Sequence, residues 1–323
     1  MKVLVTGATG FIGSHLVEAL RRRGDEVTAL ARSLKKAEAL RPLAVRVIPG
    51  DLDDIVALSK AVEGQDVIYH VAGVISARSE AEFMASNRGG TRNLVEATKV
   101  SGTGPRFILV SSMAAGGPSP RGRPLKGEEP PKPVTRYGRS KLAAERVVEA
   151  SDLPWTIVRP PMVYGPRDRE VLKVFRLARL GLGPVFGDGT QELSAVHGAD
   201  LADALIAAAT TTRTSHKIYY ACHAEVFTST HFVRSIAGAM GKPIAVIRVP
   251  LSVGRGVLAI TETAARITGQ TTILTTDKAN EFFQTAWTGD PGPLTRDSGW
   301  TAAHDLTAGL AETWRWYRDA GWV

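Results

Sequence analysis

The segment TGATGFIG, residues 6–13, joins the apolar run KVLV to the amphipathic stretch SHLVEALRRRG. The apolar run is typical of a buried parallel strand, and the stretch after it carries apolar residues at helical spacing. Gly7, Gly10 and Gly13 therefore lie between a first strand and a first helix. Glycines at such a junction allow a sharp turn and let a pyrophosphate approach the bare amides of a helix N-terminus. The segment predicts a dinucleotide-binding turn, spaced G-x-x-G-x-x-G rather than the commoner G-x-G-x-x-G.

Strand and helix patterns continue to alternate beyond this turn. The clearest predicted strands are EVTALA, VRVIPGDL, DVIYHVAG, RFILVSS and WTIVRPPMV, and the clearest helices are DIVALSKAVEG, NRGGTRNLVEATKVSG and YGRSKLAAERVVEA. Repeated βα units indicate an α/β fold with a doubly wound parallel sheet of the Rossmann type, whose ligand crevice lies at the carboxyl ends of the strands. The alternation weakens after Tyr164. We therefore expect an NADP-binding domain over residues 1–165 and a smaller, interleaved α/β substrate domain mainly over 166–323, with some segments returning to the first.

The composition is that of an ordinary globular protein of 323 residues, 44% hydrophobic and 22% charged. No run of about 18 apolar residues occurs, which argues against a membrane span, and the N-terminus lacks the features of a signal peptide. The single cysteine, Cys222, suits a reducing compartment. We therefore expect a cytoplasmic protein without a membrane partner.

The formal net charge is +8, but no nucleic-acid motif or basic stripe with interleaved aromatics accompanies it. This charge favours an anionic small molecule over nucleic acid. The seven histidines show no metal-ligand spacing, so no metal site is expected.

The end of the second predicted strand discriminates between cofactors. NAD usually meets an acidic side chain there, at its ribose 2′-hydroxyl, whereas the 2′-phosphate of NADP needs a cation. The sequence at that point reads Ala31-Arg32-Ser33, with Lys35 and Lys36 close by and no acid. Because a guanidinium can bind a phosphate through two donors, Arg32 predicts NADP, with NAD as the less favoured cofactor.

Tyr137 and Lys141, in YGRSK, are four residues apart and share one face of a predicted helix. A free tyrosine has a pKa of about 10, and an ammonium beside it favours the phenolate and lowers that pKa. The pair predicts an acid–base site for a carbonyl and its alcohol, in which Tyr137 moves the proton. Lys141 would tune the phenol and hold the nicotinamide ribose.

Taken together, these motifs resemble those of an extended short-chain dehydrogenase/reductase of the NAD(P)-dependent epimerase/dehydratase family. The matching segments span most of the chain: TGATGFIG, GDL, HVAG, NRGGTRNLVEA, VSS, YGRSK, RPPMVYGP and VHGADLADA. Besides Gly7 and Gly13, the resemblance implies cofactor contacts from Thr9, Gly10, Phe11 and Ile12 at the pyrophosphate, Asp51 and Leu52 at the adenine, Val71, Ala72 and Gly73 along the cofactor, Asn87 near its nicotinamide end, Lys141 at the ribose, and Pro160 and Val163 at the nicotinamide. It also implies Tyr137 as the acid–base residue and a homodimer as one available state.

The sequence departs from the family at Met162, within RPPMVYGP. Family members that act on nucleotide sugars usually carry Asn at this position, where it typically contacts the substrate. An apolar Met favours a substrate without a nucleotide diphosphate. The dihydroflavonol-reductase and 3β-hydroxysteroid-dehydrogenase branch is therefore the closer resemblance.

A second departure lies in VSSM, residues 110–113. In the family, the hydroxyl that polarises the substrate carbonyl usually lies third in the run that begins at Ser111, and that position is Met113 here. Side chains alternate along a strand, so Ser111 and Ser112 point to opposite sides. Ser112 is kept as a candidate catalytic residue that requires the strand to bulge or end early. The alternative is a strand-end serine bonded to backbone.

These observations favour an NADP-dependent oxidoreductase that reduces a carbonyl, or oxidises the alcohol, of a small or moderately apolar substrate. One alternative is a nucleotide-sugar epimerase or dehydratase, against which Arg32 and Met162 argue. Another is an NADP-binding regulatory protein with weak or no catalysis, which Met113 favours. The long Pro- and Gly-rich stretch 116–135 is expected to act as a lid. The expected pocket lining is Val74, Ile75, Met113, Met162, Phe175 and Leu193.

Overall fold

A computed structural model describes residues 1–102 and 104–323. Its strands, numbered in chain order, are β1 (Lys2–Thr6), β2 (Glu26–Ala31), β3 (Arg46–Pro49), β4 (Val67–His70), β5 (Arg106–Val110), β6 (Trp155–Arg159), β7 (Met162–Tyr164), β8 (Leu182–Phe186), β9 (Glu192–Leu193), β10 (Ala195–His197), β11 (Lys217–Tyr220), β12 (Phe227–Thr228), β13 (Ala245–Val249) and β14 (Ala286–Trp287).

The α-helices are α1 (Phe11–Arg23), α2 (Leu34–Ala37), α3 (Ile55–Val62), α4 (Glu80–Phe83), α5 (Gly90–Val100), α6 (Met113–Gly116), α7 (Arg136–Glu149), α8 (Glu170–Arg179), α9 (Gly198–Ala209), α10 (Ser229–Met240), α11 (Leu251–Ile267), α12 (Ala279–Phe282), α13 (Gly292–Ser298) and α14 (Leu306–Asp319). A π-helical turn, Met84–Gly89, leads into α5, and short 3₁₀ turns cover Glu38–Leu43 and Thr212–Thr214. Among the described residues, no helix is both long and apolar enough to cross a membrane.

The central sheet has seven strands in the order β11-β6-β5-β4-β1-β2-β3, and every pairing within it is parallel. This architecture confirms the predicted α/β fold with a doubly wound sheet. The strand order reverses between β1 and β4, where Thr6 lies opposite His70 at the carboxyl ends of both strands. The loops that follow these two strands therefore lie side by side, which is where such sheets bind ligands.

Apolar residues cover both faces of the sheet, as expected for a parallel sheet buried between helices. On one face, Leu16 of α1 and Leu205 of α9 belong to the same buried cluster as Val5 of β1. On the other face, α3, α5 and α7 contribute to a second cluster that contains Leu94 and Val148. The sheet is thereby fixed from both sides, and its carboxyl edge is left to the loops.

Short strand pairs and helices form the remainder of the molecule. β7 pairs with β10, β8 with β13, and β9 with both β12 and β14. Residues of α8, α10 and α14 form a third apolar cluster around Phe175 and Tyr317. β11 belongs to the central sheet although it comes late in the chain. The division into domains at residue 165 stays a prediction.

Candidate functional site

The glycine turn between β1 and α1 has no room for side chains. Gly7 has φ +72°, and a Cβ added to it would lie 2.8 Å from the backbone nitrogen of Ala72. A Cβ added to Gly13 would lie 2.1 Å from the carbonyl oxygen of Gly7. The N-cap of α1 is Gly10, which supplies no side-chain acceptor to the first amides of the helix. These amides and the positive end of the helix dipole suit the pyrophosphate of a dinucleotide.

The neighbouring residues implied by the resemblance surround this turn. Thr9 is exposed, and Phe11 and Ile12, the first two residues of α1, are half-buried. Across the switch point, the backbone N–H of Val71 donates to the carbonyl of Thr6. Val71, Ala72 and Gly73 therefore run alongside the glycine turn.

The adenine end of the predicted cofactor path lies beyond β2 and β3. Arg32 follows β2 directly, and its side chain is exposed. The Asp51 carboxylate accepts hydrogen bonds from the N–H groups of Asp53 and Asp54, at 2.9 and 3.2 Å. Leu52 packs against Gly90, where an added Cβ would approach it to 2.6 Å. Arg32 is thus a solvent-facing cation, while Asp51 and Leu52 shape the turn into α3.

A buried hydrogen-bond chain underlies the switch point, and the sequence did not predict it. Thr91 donates to the carbonyl of Asn87 at 2.6 Å, so its oxygen accepts from His70 Nε2 at 2.9 Å. His70 Nδ1 is then the acceptor from Thr6 Oγ1 at 2.7 Å, and Thr6 accepts from the N–H of Ala72 at 3.3 Å. A neutral His70 satisfies every donor in this chain.

His70 is held in the neutral form. Burial, together with the Lys141 ammonium, lowers the pKa of His70 to about 3. The histidine therefore ties the loop after β4 to α5 without bringing a charge beneath the site. The HVAG motif was the signal for this role, but only its last three residues, Val71–Gly73, were assigned.

The Asn87 side chain connects two parts of the site through hydrogen bonds. Its Oδ1 accepts from the N–H of Val74 at 2.8 Å, and its Nδ2 donates to the Val74 carbonyl and to Ser140 Oγ. A Cβ added to Gly73 would lie 3.1 Å from Asn87 Oδ1. Asn87 thus joins the loop after β4 to α7, and its place near the nicotinamide stays a prediction.

Lys141 lies buried at the carboxyl end of β5. Its Nζ donates to the carbonyl oxygen of Val110 at 2.8 Å. A Cβ added to Gly73 would lie 3.6 Å from the same Nζ, so the ammonium faces the predicted cofactor path. Burial lowers the pKa of Lys141 to about 8, although the Glu145 carboxylate one turn along α7 acts in the opposite direction.

Tyr137 is more weakly acidic than its sequence spacing suggested. Burial raises the pKa of Tyr137 to about 12; a hydrogen bond with Ser112 opposes this rise, and the Glu281 carboxylate adds to it. The expected lowering by Lys141 is therefore wrong for this structure, because desolvation of the phenolate dominates. Helical spacing could place the two side chains on one face, but it carried no information about burial.

The point at which β5 ends decides where the side chains of Ser111 and Ser112 lie. The strand stops at Val110, and Ser112 is the N-cap of α6, with Oγ accepting from the N–H of Ala114 at 3.2 Å. The Ser112 hydroxyl also lies near enough to Tyr137 to oppose the rise in the pKa of that phenol. Ser111 Oγ is buried without a hydrogen-bond partner among the described residues. The strand thus ends early, which is the condition under which Ser112 turns toward the tyrosine.

Met113 packs in a small apolar cluster with Leu125, Tyr220 and Trp287. Its side chain is 3% exposed. Because the chain turns into α6, the residue that faces Tyr137 is one position earlier than a straight count along the strand gives. Met113 therefore lines no pocket beside Tyr137, contrary to expectation.

A cavity of about 200 Å³ opens beside Tyr137. It is lined by the start of α7, by residues between 75 and 83, and by residues between 262 and 278. Of the expected lining residues, Ile75 contributes to it. Phe175, Met162 and Leu193 pack instead in or against apolar clusters. The expectation failed for these residues because proximity in sequence to the motifs does not reveal which side of a strand faces the crevice.

Residues 269–278 cover this cavity. Arg78 donates to the carbonyl of Gly269 at 3.0 Å, and the Arg136 N–H donates to Asp277 at 2.9 Å. The stretch 116–135, which was expected to act as a lid, is instead hydrogen-bonded to β14 and the residue after it. The Ser119 N–H donates to the carbonyl of Ala286, and the Leu125 N–H donates to the carbonyl of Thr288. The cover was missed because its sequence carries no motif.

Pro160 and Val163 lie where β6 passes into β7. The Pro160 carbonyl accepts from the Met113 N–H at 2.9 Å, which places Pro160 beside the serine turn. Val163 packs against the cluster that contains α1 and α9. Both residues therefore border the same edge of the sheet as Lys141.

Three residues far apart in sequence bring possible metal ligands together. His197, His304 and Glu312 place one ligand atom each within 4.8 Å of the others. His304 already bonds to Asp200 through Nδ1 at 2.9 Å and to Glu312 through Nε2 at 3.2 Å. Both ring nitrogens of His304 therefore already have a carboxylate partner. Sequence spacing could not indicate it, because the fold alone joins α14 to β10.

Comparison with known proteins agrees with this geometry. A model of the NAD dependent epimerase/dehydratase family matches residues 3–222. The chain is 35% identical to ceramide reductase of Caulobacter vibrioides over 325 residues, which cover 99% of this chain and 96% of that protein. It is 31% identical to 2-alkyl-3-oxoalkanoate reductase of Stenotrophomonas maltophilia over 261 residues, with coverage of 75% and 77%. The solved structure of MoeE5 in complex with UDP-glucuronic acid and NAD has a TM-score of 0.78 at 26% identity, with 99% and 100% of the two chains covered. The parallel sheet, the glycine turn and these matches together assign the chain to the NAD dependent epimerase/dehydratase family.

Proposed function

We propose that this protein is an NADP-dependent oxidoreductase that reduces a ketone carried on a long, mainly apolar substrate. The observation that carries the proposal is that the Ser112 hydroxyl lies near enough to Tyr137 to lower the pKa of its phenol, next to a cavity that Tyr137 lines. A hydroxyl pair in this arrangement can donate two hydrogen bonds to one carbonyl oxygen. The reverse reaction, oxidation of the alcohol, uses the same groups.

Each side chain has a separate role. With its pKa raised to about 12, the Tyr137 phenol is protonated at neutral pH and acts as the proton donor to the carbonyl oxygen. Ser112 orients that oxygen by a second hydrogen bond. Lys141 carries its charge toward the cofactor path, since a Cβ added to Gly73 would lie 3.6 Å from its Nζ. Bound NADPH would supply the hydride at the nicotinamide ring.

The cofactor would be held by the turn between β1 and α1 and by the residues after β4. Gly7, Gly10 and Gly13 leave the backbone bare for the pyrophosphate. The preference for NADP rests on Arg32, an exposed guanidinium at the end of β2 with no acid at the adjoining positions. We expect Arg32→Ala to weaken NADPH binding by about 10- to 100-fold and NADH binding little.

The substrate class follows from the cavity and from two relatives. Ile75, Phe83 and Ile273 supply apolar surface to the cavity, whose lining also contains charged residues such as Arg78 and Lys278. The names of two relatives, ceramide reductase and 2-alkyl-3-oxoalkanoate reductase, both refer to a substrate that carries hydrocarbon chains. A long-chain 3-oxo lipid is therefore the substrate class that we propose.

The test is NADPH oxidation by the purified protein with 3-oxo compounds of increasing chain length, including a 3-oxo ceramide and a 2-alkyl-3-oxoalkanoate. Turnover should rise with chain length and fall by about 10²- to 10⁴-fold in Tyr137→Phe. Cofactor titration of that variant serves as the control and should be unchanged. Unchanged turnover in Tyr137→Phe would refute the mechanism, and tighter NADH than NADPH binding would refute the cofactor preference. Normal cofactor binding with no turnover on the whole panel would favour a regulatory protein.

A nucleotide-sugar epimerase is the second candidate, favoured by the similarity to MoeE5 across the whole chain. That structure is described with UDP-glucuronic acid and NAD. Arg32 and the apolar Met162 argue against this function here. Incubation with UDP-glucuronic acid and NAD, followed by separation of the sugar epimers, distinguishes the candidates, since an epimerase would convert the sugar without net change in NAD.

A further inference from the structure

Helix α11 packs on the protein with only one face. Leu258 on this face is 2% exposed. A Cβ added to Gly254 would lie 3.0 Å from Phe186 and 3.2 Å from Phe283, so the helix approaches these rings closely. Ala265, on the same face, lines the cavity beside Tyr137. The inward face of α11 is therefore part of the wall of the substrate cavity.

The opposite face of α11 is apolar and exposed. Val253, Val257, Ile260 and Ile267 are 53%, 52%, 71% and 81% exposed. Their spacing of four, three and seven residues aligns them along one side of the helix. Isolated exposed apolar residues need no explanation, but an aligned set is typical of a contact surface. We call these four residues the α11 apolar stripe.

Positive charge accompanies the stripe. Lys242 and Arg248 are exposed, and β13, which carries Arg248, leads directly into α11. Glu262 is the sole acid in the sequence between residues 240 and 275, and its carboxylate binds Thr276. Exposed Ile247, also in β13, extends the apolar surface.

We propose that the α11 apolar stripe and the basic residues beside it dock the protein on the surface of an anionic lipid bilayer. A helix with an apolar face and flanking cations lies in the interface plane without crossing the membrane. The inference rests on the proposed function, since a long-chain ketone resides in lipid and α11 separates that surface from the cavity by one helix thickness. Such docking would give a membrane-resident substrate a short path to Tyr137.

A second copy of this chain is a poorer occupant. In a two-fold dimer each patch meets its own counterpart. Arg248 would then approach the same basic patch of the other copy, and like charges brought together oppose association. An anionic bilayer complements both the apolar and the positively charged parts of the surface.

The test compares binding to phosphatidylcholine vesicles with and without about 30% phosphatidylglycerol by co-sedimentation. The full chain should bind the anionic vesicles and bind the neutral ones much more weakly. Val257→Ser/Ile260→Ser should lower vesicle binding by about tenfold or more. Val56→Ser/Val100→Ser is the matched control, because both valines are exposed on other helices, and it should bind as the unmodified protein does.

Two further measurements separate the causes of failure. NADPH oxidation with a soluble, short-chain 3-oxo compound should be equal in the stripe variant and the unmodified protein, which shows that the variant is folded. Light scattering reports the oligomeric state. The docking proposal would be overturned if the full chain does not bind vesicles, or if the stripe variant binds them as well as the unmodified protein does. It would also be overturned if the unmodified protein is a dimer and the stripe variant is a monomer. Vesicle binding without turnover on any ketone would overturn the proposed function and leave the docking surface intact.

Discussion

At the residue scale, the two adjacent serines after β5 have different surroundings. Ser112 caps α6 and lies near enough to Tyr137 to oppose the rise in its pKa, whereas Ser111 is 4% exposed and its hydroxyl has no hydrogen-bond partner among the described residues. Counting along the run pointed to Met113, since a count presumes that the strand continues. The strand ends at Val110, and the turn into α6 brings Ser112 to the tyrosine instead. No sequence signal indicated where β5 ends, so a catalytic role for Ser112 was only one of two interpretations.

The serine pair offers a matched mutational test. Ser112→Ala should lower kcat for ketone reduction by about 10²- to 10³-fold, because it removes one donor to the oxygen that gains charge. Ser111→Ala should leave kcat within about twofold, since removing an unpaired buried hydroxyl leaves no partner unsatisfied. Steady-state NADPH oxidation measures both variants. Equal losses in the two variants would contradict the assignment of Ser112.

At the element scale, the βα turn and α7 were predictable because local sequence determines them. The glycines specify the turn, and the Thr135 hydroxyl caps α7 by accepting from the Gly138 N–H at 3.1 Å. The cover over the cavity was not predictable. Residues 269–278 hold their position through bonds to Arg78 and Arg136, which lie far away in sequence.

Gly13 provides the test at this scale. Gly13→Ala would place a Cβ 2.1 Å from the Gly7 carbonyl oxygen, so the backbone of the turn must shift. We expect NADPH binding to weaken by about tenfold or more, since the turn no longer presents its amides correctly. The measurement is cofactor titration together with thermal unfolding.

Gly238→Ala, within α10, is the control for that substitution. A Cβ at Gly238 meets nothing within 4 Å, and alanine is the better helix former by about 1 kcal/mol. This variant should bind NADPH normally and unfold at the same or a slightly higher temperature. If Gly13→Ala behaved in the same way, the close packing of the turn would not matter for the cofactor.

At the scale of the whole molecule, buried histidines link stability to pH. Burial, with the Lys141 ammonium, lowers the pKa of His70 to about 3. Burial and the neighbouring histidines similarly lower the pKa of His197 to about 3. The pKa of His304 is raised: burial lowers it, but the bonds to Asp200 and Glu312 outweigh burial. These groups therefore act in opposite directions, and His70 can be isolated by substitution.

Stability should fall as the pH drops below about 6.5, the pKa of an unfolded histidine. Below that pH the unfolded chain takes up a proton that native His70 does not, so the free energy of unfolding decreases. Between pH 7 and 5 this one group accounts for about 2 kcal/mol. Urea unfolding at both pH values should show a flatter dependence for His70→Gln than for the unmodified protein. An identical pH dependence in the two proteins would show that His70 does not remain neutral in the native state.

The sequence by itself determined the parallel α/β sheet, the glycine turn and the family, and the structure and comparisons confirm these three. They were predictable because hydrophobic period, glycine position and short motifs are local properties of the chain. Tertiary structure alone decided the weak acidity of Tyr137, the neutral His70 chain, the cover over the cavity and the exposed face of α11. Each of these depends on which surfaces meet and which lose water, and residues distant in the chain decide both. That Ser112 rather than Met113 lies beside Tyr137 has the same origin, because the end of β5 is set by the packing of α6 as well as by the strand's own residues.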